Sequence, residues 1–312
     1  MNVERFCFTG HADTLLPATV WVPDGELKAV LQITHGMTEH VERFAQLAEE
    51  LTQQGIAVAG FDLRGHGRNA GDPDVASFGA EGWDATLQDM HLFFELLEGR
   101  FSGLPHVMLG FSLGSFLLRE YLGKYPEKVN GAIIMGTGYQ NRLLLSVMMK
   151  VVQGQVKKVG FDHTTDLIKK LSFGTYNQKL KPNRTEADWL CRDEKQLNIY
   201  LTDPLCRKNI SAGLFWEMLS AMKRTGGKDA YIGWNKEMPV LLLSGKDDPV
   251  GSFGRGVQTV REQMKKSGLT CVTMQLMPYA RHDVLHEEES GAGSLARSII
   301  GSWITCNLQK SL

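Results

Sequence analysis

Short apolar, β-rich runs alternate with longer helical patterns in this chain, and that alternation constrains its fold more than any other feature. The runs cover residues 6–8, 18–22, 29–34, 57–61, 106–110, 131–136, 239–244 and 270–277. Several are apolar at nearly every position, as in Val240-Leu241-Leu242-Leu243. A strand that is apolar on both faces needs cover on both faces, which is the habit of parallel sheets. Helical periodicity fills the gaps at 40–54, 84–100, 113–124, 256–267 and 287–308. The pattern predicts βαβ units around a mostly parallel, eight-stranded sheet flanked by helices, an α/β fold.

The alternation stops between about Tyr139 and Asn235. Helical patterns at 143–152, 164–171, 194–201 and 211–223 occupy this stretch, with no convincing strand. A segment of about 95 residues is too long for an ordinary connection. It predicts an inserted, mainly helical cap at 140–235, with the sheet domain formed by 1–139 and 236–312. The charge is unevenly divided. Residues 140–236 hold 17 Lys and Arg against 9 Asp and Glu, or +8; the remainder holds 17 against 26, or −9.

Over the whole chain of 312 residues the net charge is only −1, so no global electrostatic case exists for nucleic-acid binding. No run of about 18 apolar residues argues for a membrane-spanning helix. The first residues lack the basic and apolar regions of a signal peptide, and the five cysteines are widely spaced. Reduced thiols in the cytoplasm are the expectation. Ligand spacings of the H-E-x-x-H or C-x-x-C kind are absent, so no metal or other cofactor is expected.

The chemistry concentrates where strands end. Gly110-Phe111-Ser112-Leu113-Gly114 is a G-x-S-x-G between a predicted strand and a predicted helix. Small residues two before and two after a serine allow the sharp, strained turn that exposes its Oγ above a sheet. A serine hydroxyl needs a base, and the base needs an orienting carboxylate. Gly245-Lys246-Asp247-Asp248-Pro249 and Tyr279-Ala280-Arg281-His282-Asp283 follow the last two strands. By loop distance Asp248 and His282 are the candidate acid and base, with Asp247 and His286 the alternatives. Leu113, after the serine, and Met37, in Thr34-His35-Gly36-Met37-Thr38, are candidates to offer backbone N–H groups to a developing oxyanion. Asp62-Leu63-Arg64-Gly65-His66-Gly67 holds three reactive residue types, yet reads as a scaffold loop whose charges bond to neighbouring loops.

These residues together resemble the α/β-hydrolase superfamily, and within it the monoglyceride lipase and lysophospholipase-like group. The resemblance is carried by His35-Gly36-Met37-Thr38-Glu39-His40-Val41-Glu42-Arg43-Phe44, the Asp62–Gly67 loop, Gly110–Ser115, Asp248 and Ala280-Arg281-His282. It extends to Arg192-Asp193 and Tyr200-Leu201-Thr202-Asp203-Pro204-Leu205. It implies the α/β-hydrolase fold, a Ser112–Asp248–His282 triad and an oxyanion hole at Met37 and Leu113. Phe111 departs from the polar residue usual in the group, Ser115 from a glycine, and Asn69 from a serine or threonine.

The expected activity is a serine hydrolase of carboxylic esters, acting on monoacylglycerols or lysophospholipid-type single-chain lipids. A short- or medium-chain carboxylesterase is the alternative, and a non-catalytic binding protein on the same fold is the alternative of another class. Leu144, Val147, Met148 and Phe215 are candidate substrate contacts in the cap. The run 143–152 suits three roles: a packing helix, an acyl-chain lining, or a transient contact with a membrane or micelle surface. The basic cap suits an anionic substrate or surface, or is simply a solvated face. The oligomeric state is not readable from the sequence.

Overall fold

The structure, a computed structural model, describes residues 1–79, 82–126 and 129–308. The chain begins with strands β1 (Asn2–Thr9), β2 (Leu15–Val22) and β3 (Ala29–Thr34). Helix α1 (Ala45–Thr52), β4 (Ile56–Phe61), the short β5 (Val75–Ala76), α2 (Gly82–Arg100), β6 (His106–Phe111), α3 (Leu113–Lys124) and β7 (Gly131–Met135) follow. Next come α4 (Arg142–Val159), α5 (Asp166–Ser172), α6 (Glu194–Thr202), β8 (Asn209–Ile210) and α7 (Ala212–Thr225). The chain closes with β9 (Val240–Gly245), α8 (Arg255–Lys266), β10 (Val272–Met277) and α9 (Ala292–Leu308).

Eight strands form one sheet in the order β1-β2-β4-β3-β6-β7-β9-β10. Only β2 runs against its neighbours; the other pairings are parallel. This is the mostly parallel α/β sheet expected from the alternation and the α/β-hydrolase fold that the resemblance implies, and every predicted strand has its place in it. β3 pairs with β4 on one side and β6 on the other, so the winding reverses there. Such a reversal leaves a crevice beyond the carboxyl ends of the strands, where open α/β sheets collect their ligands.

The two faces of the sheet explain the apolar runs. Along β9, Val240 and Leu242 enter one buried cluster with Phe93, Phe94, Leu117 and Val260. Leu241 and Leu243 enter a second, opposite cluster with Leu47, Leu51, Ile300 and Ile304. Side chains alternate along a strand, so each face receives every second residue and both must be apolar.

The segment between β7 and β9 differs in detail from the expectation. It contains one strand after all: β8, two residues long, pairs in parallel with β5 through Val75–Asn209 and Ala76–Ile210. Two residues are too few for any periodic signal. Its helices also share the core of the sheet domain, because Leu145, Val152, Ile168, Leu214, Phe215 and Leu219 lie in the same buried cluster as Phe93 and Leu117. No described helix is long and apolar enough to cross a membrane.

Candidate active site

β6 runs into α3 through Ser112, whose φ of 50° and ψ of −114° lie outside the ordinary regions for an L-residue. The flanking glycines make that turn sterically feasible. A Cβ on Gly110 would lie 2.3 Å from the Gly114 carbonyl oxygen, and one on Gly114 would lie 2.1 Å from the Thr34 oxygen. Ser112 N–H donates to the Met135 carbonyl (2.9 Å), and Ser115 N–H donates to the Ser112 carbonyl (2.9 Å). Ser115, where glycine is usual in the resembled group, also donates its hydroxyl to the Ser112 carbonyl at 2.6 Å.

Asp248 lies in the loop after β9 and is wholly buried, and His282 lies beyond β10 and is 1% exposed. His282 Nδ1 is 3.0 Å from Asp248 Oδ2. The same carboxylate accepts from the Ser244 hydroxyl (3.2 Å) and from Val250 N–H (2.8 Å), so its orientation is fixed from three sides. His282 Nε2 is buried and makes no hydrogen bond to any described residue, Ser112 included. The structure thus brings together Asp248 and His282. Of the alternatives, Asp247 pairs instead with Arg192 at 2.7 Å. His286 is fully engaged, Nδ1 with Asp283 at 2.9 Å and Nε2 with the Arg43 carbonyl at 3.1 Å.

The loop after β3 lies against the serine turn. A Cβ on Gly36 would come within 3.2 Å of Ser112 Cβ and 3.1 Å of the Phe111 ring. Leu63 N–H donates to His35 Nε2 (3.0 Å), so the ring proton sits on Nδ1, which donates to the Gly36 carbonyl (2.8 Å). Burial holds His35 neutral, its pKa pushed down to about 3. Gly36 N–H is taken by Glu39 Oε1 (2.6 Å). Met37 follows in the same loop, next to Thr38 at φ 64°. Leu113 opens α3, where no intrahelical carbonyl is available to its N–H.

Charged side chains brace these loops. Arg43 bonds to Glu39 (2.9 Å) and to Asp283 (2.5 Å). Burial would raise the Asp283 carboxyl, but His286 and Arg43 outweigh it and hold it well below the usual carboxylate range. The Asp62–Gly67 loop acts as the scaffold its sequence suggested. Asp62 accepts from Val41 N–H and from Arg68, and Arg64 pairs with Asp89.

Aromatic residues from the long insertion cover the histidine, and the sequence carried no signal for them. Trp189 lies 5.2 Å from His282, ring to ring, and is flanked by Phe173 and Tyr176 at 5.7 and 4.8 Å. Burial and then the charge of Asp248 push the Tyr176 phenol up to about 12. The Phe111 ring also lies 5.0 Å from the imidazole. Beside Trp189 and Thr38 opens a cavity of about 640 Å³.

The four candidate substrate contacts are placed differently from one another. Leu144 and Val147 on α4 face outward, 47% and 61% exposed. Met148 is half-buried against the core, and Phe215 is 2% exposed within it. Phe215 is therefore packed in the core, and it is not among the residues that line the cavity beside Trp189. Its α7 neighbours Leu214 and Leu219 bury the same helix face.

One cluster has the residue types of a metal site: ligand atoms of His40, Asp203 and Cys206 lie within 4.8 Å of one another. His40 Nε2 is already bonded to Asp203 Oδ2 (2.9 Å), and burial pushes the Cys206 thiol well up, with the Arg43 charge nearby. A protonated thiol beside a guanidinium does not suit a cation.

Comparison with known proteins places this geometry among hydrolases. A monoacylglycerol lipase of Mycolicibacterium smegmatis is 23% identical over 309 residues, covering 96% of each chain. The human monoglyceride lipase is 24% identical, over 91% of this chain and 85% of its own. Among solved structures, a thermostable carboxyl esterase from Bacillus coagulans superposes with a TM-score of 0.89 at 21% identity, covering 99% of both chains. The family model described as serine aminopeptidase, S33, matches residues 25–289, and the chain belongs to that family of hydrolases.

Proposed function

We propose that the protein is a serine hydrolase of carboxylic esters, with monoacylglycerols or comparable single-chain lipid esters as substrates. The observation that carries the reading is the fully buried Asp248–His282 pair beyond the strand ends, beside a serine held at positive φ. The lipase and esterase names of its relatives support the ester class. Ser112 Oγ attacks the ester carbonyl as His282 Nε2 takes the hydroxyl proton, forming the Oγ–C bond. Asp248 keeps the other ring proton on Nδ1 and balances the imidazolium. Met37 and Leu113 N–H groups receive the oxyanion. Collapse breaks the C–O bond, and the alcohol leaves with the proton from His282. Water then attacks the acyl-enzyme, giving its proton to His282, which returns one to Ser112 Oγ. None of these steps calls for a cofactor.

On this reading residues 140–235 act as a cap and the cavity beside Trp189 receives part of the substrate. The outward row Leu143, Leu144, Val147 and Val151 on α4, with Arg142, Lys150, Lys157 and Lys158 on the same helix, suits transient contact with a lipid surface. The test is kcat/KM for monoacylglycerols and matched simple esters of two to eighteen acyl carbons, with Ser112→Ala as blank. A rise toward long chains supports a lipase. A maximum at short chains gives the carboxylesterase reading, which the Bacillus coagulans structure favours. Failure of Ser112 to react with a fluorophosphonate supports a binding protein instead.

A further inference from the structure

Besides Arg43, which is paired with Glu39 and Asp283, the described residues include four buried arginines: Arg64, Arg119, Arg207 and Arg297. Arg64 is ion-paired with Asp89, and Arg297 with Glu50 and Glu288. Arg119 has no carboxylate but is surrounded by four oxygens, those of Thr137, Gly138, Thr225 and Tyr231. Arg207 has neither solution. It makes no ion pair among the described residues, and its guanidinium reaches two carbonyl oxygens, of Pro204 (2.7 Å) and Gly67 (2.8 Å). Its Nε is buried without a partner. A guanidinium carries five N–H donors, so most of its capacity is unspent. A buried charge without a counter-charge is costly, and an arriving anion would relieve that cost.

Arg207 lines the 640 Å³ cavity beside the candidate site. Two further cations, Lys169 and Lys208, line it, against one carboxylate, Glu186. Lys208 is exposed and shared with Asp74 at 3.3 Å; Lys169 is exposed on α5. The cavity also touches Trp189, whose ring faces His282, and Thr38, whose carbonyl accepts the backbone N–H of Arg207 at 2.8 Å. The backbone of Arg207 is thus tied to the loop that carries Met37.

We propose that this cavity is an anion site, in which Arg207 supplies the counter-charge for a phosphate group. The source of the phosphate is either the alcohol portion of the substrate or a free phosphate compound bound beside it. Paired, charge-assisted bonds from a planar guanidinium match a phosphate in both geometry and charge. The first source rests on the ester-hydrolase reading; the second does not.

The experiment compares 1-oleoylglycerol with 1-oleoylglycerol 3-phosphate for the wild type, Arg207→Met, Arg207→Lys and the rim variant Lys169→Gln/Lys208→Gln. The readout is the ratio of the two kcat/KM values, phosphorylated over neutral, in which any loss of folded protein cancels. The expected result is a ratio that falls about tenfold or more in Arg207→Met and less in Arg207→Lys and the rim variant. In parallel, inorganic phosphate and glycerol 3-phosphate are titrated against the melting temperature. A rise of roughly 3–5 °C in the wild type at saturation, lost in Arg207→Met, supports the site with a free anion as its occupant, even if no ester is turned over. If no ester is hydrolysed, the function proposed above fails while this titration still reads the site. An unchanged ratio together with no phosphate-dependent shift overturns the proposal.

Discussion

Asp247 and Asp248 are adjacent in the chain and chemically identical, yet their surroundings assign them different work. Asp248 is wholly buried against His282 Nδ1, whereas Asp247 pairs with Arg192 at a half-open position. On the proposed mechanism Asp248→Asn is expected to cost about 10⁴ in kcat, since the amide no longer fixes the imidazole tautomer. Asp247→Asn loses a partly exposed ion pair of small value, so its kcat stays within about threefold. Hydrolysis of one soluble ester by both variants checks this, and equal losses would contradict the assignment. Gly114 makes a second residue-scale case. Its missing Cβ leaves room for the Thr34 carbonyl oxygen, and that oxygen belongs to a rigid central strand that cannot retreat. Gly114→Ala is expected to destabilise the protein by more than about 3 kcal/mol, read from the denaturant midpoint. Residues of this kind were legible in the sequence because a G-x-S-x-G between a strand and a helix has few other uses. Trp189, Phe173 and Tyr176 were not. Nothing in their spacing tells which part of a 95-residue insertion folds back over His282.

At the scale of elements, α4 shows where periodicity misleads. The apolar run suggested a helix over 143–152, but α4 continues to Val159 and ends at Gly160 with φ 90°. In its second half Val156 and Val159 pack on the core and half-buried Gln155 accepts from the Thr165 hydroxyl, while Gln153, Gly154, Lys157 and Lys158 are exposed. The first half does the reverse of what its composition suggests. Leu145 is buried, whereas Leu143 is 79% and Val147 61% exposed. A helix apolar all round is expected to be buried, so an open apolar row rimmed by cations suits an interface with anionic lipid. Each large apolar side chain transferred into the lipid boundary contributes about 1.5–3 kcal/mol. Leu143→Glu/Val147→Glu should then weaken binding to vesicles of mixed neutral and anionic lipid by at least tenfold. Turnover of a soluble short-chain ester should remain within about twofold, because both side chains point away from the core. Vesicle co-sedimentation beside that assay decides it, and unchanged binding would reduce the row to an accident of composition.

Over the whole molecule, acid stability depends on groups that burial has moved, and their signs can be worked out. Burial lowers His35 and His106 to about 3 and His66 to about 4, from an ordinary value of 6.5. Below pH 6.5 the unfolded chain binds these protons and the folded chain does not, so stability falls as pH falls until the folded values are reached. Glu217 has the opposite sign. Burial raises it to about 7, above the ordinary 4.5, so between these values the folded state is the one holding the extra proton. Taken by themselves, these three histidines and Glu217 leave a net uptake of about two protons on unfolding between pH 6 and 4.5. That corresponds to a loss of about 2–3 kcal/mol per pH unit. The sequence showed nine histidines and no means of telling buried from exposed ones. His106 illustrates why, because it lies within an otherwise apolar strand and stacks on Phe94 at 4.2 Å. Replacing His106 by Gln should flatten the dependence by about 1.4 kcal/mol per unit, and replacing Glu217 by Gln should steepen it by a similar amount. Urea unfolding at intervals from pH 7 to 4.5 measures all three slopes. Because the two variants are expected to move the slope in opposite directions, a general loss of stability cannot imitate the result, and parallel slopes in all three proteins would refute it.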